Sequence, residues 1–135
     1  MRFHIRHLVI LFLLFTGCTK TDPVAEAKSM LADYSGGQKS WQLTGLTVNG
    51  QVQTLGPVEL KFTKTYFFNG KYADTDSYEG EWRLDSETEI LEVYNNLPNG
   101  LMFQKYKIED VTTSKLTLSY QTNGEHVITY YTAVK

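Results

Sequence analysis

The chain has 135 residues, with 13 Lys and Arg against 15 Asp and Glu and a formal net charge of −2. That is one domain's worth of chain. Its mild acidity, with no basic block, speaks against nucleic acid as a partner, and its single cysteine excludes an intrachain disulfide. Taken in order, Arg2 and Arg6 come first, Leu8 to Phe15 is an unbroken apolar run, and Thr16-Gly17-Cys18 follows. Positive, then apolar, then small is the order of a secretory signal. Eight apolar residues in a helix rise only about 12 Å, far short of the roughly 30 Å hydrocarbon core. Residues 1–17 therefore read as an export leader rather than a permanent span.

Phe15-Thr16-Gly17-Cys18 resembles the lipobox of bacterial lipoproteins. The resemblance implies cleavage before Cys18, a diacylglyceryl group on its thiol, and an acyl chain such as palmitate on the new amino terminus. Each buried methylene contributes about 0.8 kcal/mol, and a second chain turns marginal binding into stable anchoring. It also gives a role to an otherwise unexplained thiol in an exported chain. The expected location is the cell envelope, lipid-anchored at the outer membrane, with the face left open.

Residues 18–39 hold the lipidated Cys18, a spacer and a short helix. Asp22-Pro23 looks like an N-cap followed by proline at the first helical position. Val24, Ala27, Met30, Leu31 and Tyr34 recur at helical spacing, and Gly36-Gly37 supplies a stop. The pattern predicts an amphipathic helix near 23–34 that packs on the domain and closes one end.

Residues 40–135 change character. Short aromatic and β-branched runs alternate with turn signals. Strands are predicted at Trp41 to Val48, briefly at Gln51 to Thr54, at Val58 to Thr63, Thr65 to Phe68 and Lys71 to Ala73. Further strands are predicted at Tyr78 to Leu84, Glu89 to Tyr94, Leu101 to Glu109, Lys115 to Gln121 and Glu125 to Val134. Asn49-Gly50, Asn69-Gly70 and Asn123-Gly124 are hairpin turns. Val58, Leu60 and Phe62 alternate with Glu59, Lys61 and Thr63, the pattern of a half-buried strand. Trp82 and Leu84 share a face, as do Tyr106 and Ile108, and Leu116, Leu118 and Tyr120 point inward. The expected fold is all-β, a small antiparallel up-and-down barrel of 8–9 strands with a short N-terminal helix.

The runs Trp41-Gln42-Leu43, Val58 to Phe62, Gly80-Glu81-Trp82-Arg83-Leu84, Tyr106-Lys107-Ile108, Leu116-Thr117-Leu118 and Ile128-Thr129-Tyr130 look like the lipocalin-like domain of bacterial (Gram-negative) lipoproteins. The likeness covers residues 40–134 and departs at Lys39, where a glycine is expected. It implies an up-and-down barrel with room for an internal cavity, and it names no ligand, since one fold hosts many functions.

Chemistry is sparse. His126 is the only histidine after the leader, so no histidine pair is available for zinc. No nucleophile elbow or phosphate loop is present. Glu79 and Glu81 flank Gly80, opposite in phase to Trp82, and are expected in water rather than as an acid–base pair. Asp74, Asp76 and Ser77 lack the glycine and terminal glutamate of an EF-hand loop and read as a polar loop. No catalytic group, metal or cofactor is expected. The aromatics remain: Trp41, Phe62, Phe67, Trp82, Phe103, Tyr106, Tyr120 and Tyr130 either line a hollow interior or pack on one another as a filled core. So short a barrel domain leaves little volume to spare, which favours the filled core. Tyr66, Phe67, Phe68 and Tyr72 cannot all face inward, so a ring is expected to lie exposed on the 66–76 segment. Two functional readings follow. The first is a non-catalytic binding module holding a small apolar or amphipathic molecule. The second is a filled-barrel accessory that meets an envelope protein partner.

Overall fold

The structure, a computed structural model, describes residues 23–76, 79–85, 90–97 and 100–135. The leader, Cys18 and Asp22 lie outside the described residues. Among the described residues, helix α1 (Pro23–Ala32) precedes nine strands. These are β1 (Gln38–Val48), β2 (Gln51–Val52), β3 (Thr63–Phe67), β4 (Lys71–Asp74), β5 (Glu79–Leu84), β6 (Ile90–Leu97), β7 (Gly100–Val111), β8 (Lys115–Thr122) and β9 (Glu125–Ala133).

Neighbouring strands pair antiparallel in the order β2-β1-β3-β4-β5-β6-β7-β8-β9, and β1 also pairs with β9, from Trp41↔Ala133 to Val48↔Val127. That last ladder closes eight strands into a barrel and leaves β2 as a short flange on β1. Closure removes the open sheet edges that an unclosed meander would present. The three Asn-Gly turns stand where their chemistry predicts. Asn49 and Asn123 take positive φ, as do Gly50, Gly70 and Gly124, the backbone that short hairpins of matching twist require.

The expected strand over Val58 to Thr63 is not formed. Residues Glu59–Lys61 make a single 3-10 turn, and Thr63 opens β3. Val58 is 82% exposed and Leu60 is also exposed, so the alternation does not correspond to a buried face. Gly56-Pro57 starts the turn, with Leu60 N donating to Gly56 O. The edge of β1 between β3 and β2 is covered by this loop instead. Gln53 N donates to Leu46 O and Leu43 N donates to Phe62 O.

Helix α1 ends sooner than expected. Asp33, not a glycine, takes the left-handed conformation after Ala32, at φ 53°. Its carboxylate accepts from the Ser35 backbone N–H and Oγ, which compensates a short polar residue for that backbone. Leu31 and Ala32 are fully buried. Trp41 Nε1 donates to Leu31 O at 2.9 Å, and Lys39 Nζ donates to Met30 O. The helix therefore plugs one end of the barrel. Trp41, Tyr66, Tyr72, Trp82, Leu91, Val93, Leu116, Leu118 and Tyr131 pack there as one core with it.

Candidate functional site

Cross-strand partners share a face, so the two tryptophans fix the phase of the barrel. Trp41 stands opposite Lys64, which turns Lys64 and then Tyr66 inward. Tyr66 pairs with Tyr72, Tyr72 with Gly80, and Gly80 with Asn95. All of these are buried. Trp82, two residues beyond Gly80, is also buried, and its Nε1 donates to Phe67 O.

Of the expected interior rings, Trp41 and Trp82 are buried, and Phe62, Tyr106 and Tyr120 are half-buried and face inward. Three are not inside. Phe103 is 44% exposed and Tyr130 39%. Phe103 stacks on Tyr94 with ring centroids 4.7 Å apart, and Tyr130 lies over Gly45. Phe67 is half-buried on the outer face, next to the inward Tyr66. The reason is parity. Each is an odd number of residues from an inward position of its own strand, so its hydrophobicity does not bring it inside. The rings that sequence reasoning missed are Tyr66, Tyr72 and Tyr131. Their signal was available through Trp41, by following pairs across the hairpins. Phe68 packs under Tyr34 and Lys28, so the 66–76 segment does not form an exposed aromatic loop.

The core is filled at the helix end only. At the other end is a cavity of about 300 Å³. It is lined by Leu43, Leu46 and Phe62 on one side, by Tyr106, Tyr120 and Tyr131 on another, and by Lys64, Tyr72, Asp74, Asp76, Asn95, Met102 and Thr129. About 300 Å³ is at the lower end of ordinary small-molecule pockets. It corresponds to roughly ten waters at about 30 Å³ each.

Lys64 is the electrostatic centre of this cavity. It is 6% exposed. Its ammonium lies 4.3 Å from the Tyr106 ring centroid and 5.5 Å from that of Tyr131, within the range of cation–π attraction. Burial pushes its pKa down, but the oxygens of Tyr131, Tyr66, Tyr106 and Tyr72 outweigh it and hold the pKa well above the ordinary lysine value. Burial pushes the Tyr66 and Tyr72 hydroxyls far up, so both stay protonated. Tyr72 donates to Asp74 Oδ2 at 2.8 Å. Tyr66 OH and Asn95 Oδ1 are buried and find no hydrogen-bond partner among the described residues.

A larger concavity, about 580 Å³, lies on the outer wall along Asn69 to Lys71, Glu81 to Arg83 and Tyr94. Its charges already answer one another. Lys71 pairs with Glu81 at 3.0 Å, and Arg83 pairs with Glu92. Glu79 and Glu81 face water, as their phase predicts. A paired, exposed surface has less unmet chemistry than the interior cavity, so the smaller cavity is the better candidate site.

These features define a small closed β-barrel, plugged by a helix at one end, with a polar-centred cavity at the other. The chain matches no protein-family model, no curated protein and no solved structure.

Proposed function

We propose that the protein is a lipid-anchored, non-catalytic lipoprotein of the cell envelope, tethered at Cys18 to the outer membrane, whose barrel holds a small apolar or amphipathic molecule. The observation that carries the reading is the cavity of about 300 Å³, with apolar walls and a few convergent polar groups, the usual make-up of a ligand pocket. The likeness to the lipocalin-like lipoprotein domain belongs to the same reading. Helix α1 plugs the end where the chain enters the barrel, so a tethered barrel would keep its cavity at the far end, open to a ligand. Native mass spectrometry on the full chain, purified from membranes in detergent, tests this. An added mass that leaves on denaturation supports the reading. A clean apo mass, unshifted by mixed lipids and small amphiphiles, overturns it.

The second reading, an accessory to an envelope protein partner, draws on one feature of the outer wall. The stacked Tyr94–Phe103 pair is framed by Arg83 and Lys105, a mixture of residues common at interaction surfaces.

A further inference from the structure

We propose that the molecule held in the barrel is a compact monocarboxylate whose anionic head sits on Lys64. This rests on the binding-module reading above and names the class of ligand. Lys64 reaches the cavity as a buried cation that makes no hydrogen bond or ion pair to any described residue; its contacts are aromatic faces. Its cross-strand partner Asp74 lines the same cavity, yet the ammonium's own donors have no acceptor among the described residues, and a carboxylate delivered by a ligand would supply one. The protonated Tyr66 hydroxyl belongs to the same cluster, close enough to Lys64 to feel its charge, and has no partner of its own.

Asp74 stands opposite Lys64 across β3 and β4, so its carboxylate shares the cavity with the ammonium. Asp74 already accepts from Tyr72 OH and from Asp76 N. Together, Asp74 and Asp76 set a limit on the ligand, because two negative groups on the same cavity disfavour a dianionic head such as a phosphate monoester. Size sets a second limit. About 300 Å³ accommodates on the order of ten to fifteen non-hydrogen atoms at roughly 30 Å³ per water-sized group, allowing for closer covalent packing. A two-chain phospholipid is excluded, and Leu43, Leu46, Phe62 and Met102 supply an apolar berth for a short tail or a ring.

The test is calorimetric titration of the full chain in detergent with three probes of similar skeleton: phenylbutyrate, phenylbutanol and phenylpropyl phosphate. Phenylbutyrate is expected to bind roughly tenfold to a hundredfold tighter than phenylbutanol, the range for a hydrogen bond to a charged group. Lys64→Met is expected to erase that preference and keep the alcohol's affinity. Equal affinity for acid and alcohol overturns the carboxylate assignment and leaves the binding module standing. Binding of none of the probes overturns both. The phosphate binding tighter than the carboxylate overturns the single-charge limit. Because Lys64→Met alters a buried site, the unmodified protein supplies an independent readout. The Lys64 Nζ resonance is expected to move on adding phenylbutyrate and to stay in place with phenylbutanol; no response to the acid overturns the assignment.

Discussion

Gly80→Ala should be among the most damaging single changes in the barrel, although it adds one methyl group. Gly80 does not need a left-handed backbone. What it needs is space. A Cβ at this position would lie 1.7 Å from Tyr94 O, 2.7 Å from the Tyr94 carbonyl carbon and 2.9 Å from Asn95 Cα. All three are backbone atoms of β6, so no side-chain rotation relieves the contact. Strands β5 and β6 would have to part by more than 1 Å where Gly80 pairs with Asn95, in a ladder that runs to Leu84↔Leu91. Overpacking a core typically costs 1–3 kcal/mol and more where nothing yields, and each ladder hydrogen bond lost adds about 1 kcal/mol. A loss of about 3–5 kcal/mol is expected, out of a total of roughly 5–15 for a domain. Urea denaturation followed by tryptophan fluorescence measures it, with Gly124→Ala as the control. Gly124 has φ +78° and nothing within 4 Å, so that change costs only about 1–2 kcal/mol of left-handed backbone strain. If Gly80→Ala shifts the midpoint no more than the control does, the close approach of β5 and β6 is wrong and so is the register that places Asn95 in the cavity.

The remaining predictions concern the cluster, the plug and the anchor. With the Tyr66 and Tyr72 pKa values raised by burial, the unfolded chain ionises near pH 10 while the folded protein stays protonated. Stability should therefore fall above pH 10, by about 1.4 kcal/mol per pH unit for each tyrosine. Lys64 acts in the same direction: its raised folded pKa stabilises fully below the unfolded lysine value and is lost as pH rises through the folded one. Tyrosinate absorbance against pH checks this, and simple titration of all nine tyrosines near pH 10 without unfolding would refute it. Trp41→Phe keeps an apolar ring but loses the bond to Leu31 O. The expected cost is about 1–2 kcal/mol, with faster amide exchange in α1 than in β8; unchanged α1 exchange would show that this bond does not hold the plug. Cys18→Ser should leave a precursor that takes up no labelled fatty acid, and equal labelling of mutant and parent would remove the anchor from the account.

Much of the fold is legible because short antiparallel turns have strict chemistry. Asn49-Gly50, Asn69-Gly70 and Asn123-Gly124 mark hairpins, and alternation in Leu116 to Tyr120 marks a strand with one dry face. The misread segment, Val58 to Thr63, has the same two-residue alternation. Alternation shows only that apolar side chains recur at a period. Whether a neighbouring strand is free to pair with them depends on topology, and here the covered edge of β1 needs a loop that ends at Phe62 rather than a further strand.

The site was harder to read for a different reason. In β3, Tyr66, Phe67 and Phe68 offer three adjacent rings, and hydrophobicity alone does not choose between phases. Trp41 chooses, because its cross-strand partner is Lys64, and a phase that puts a lysine inside is the one that hydrophobic patterning rejects. Yet that phase carries Tyr66, Tyr72, Gly80 and Trp82 inward together, and the reverse phase would expose both tryptophans. Asn95 and Thr129, also buried at the cavity, break the apolar pattern along with Lys64, and such departures mark places under another constraint. The most costly of these departures is a cation among tyrosine rings at the wall of the cavity, and the carboxylate ligand proposed above would be the constraint that keeps it there.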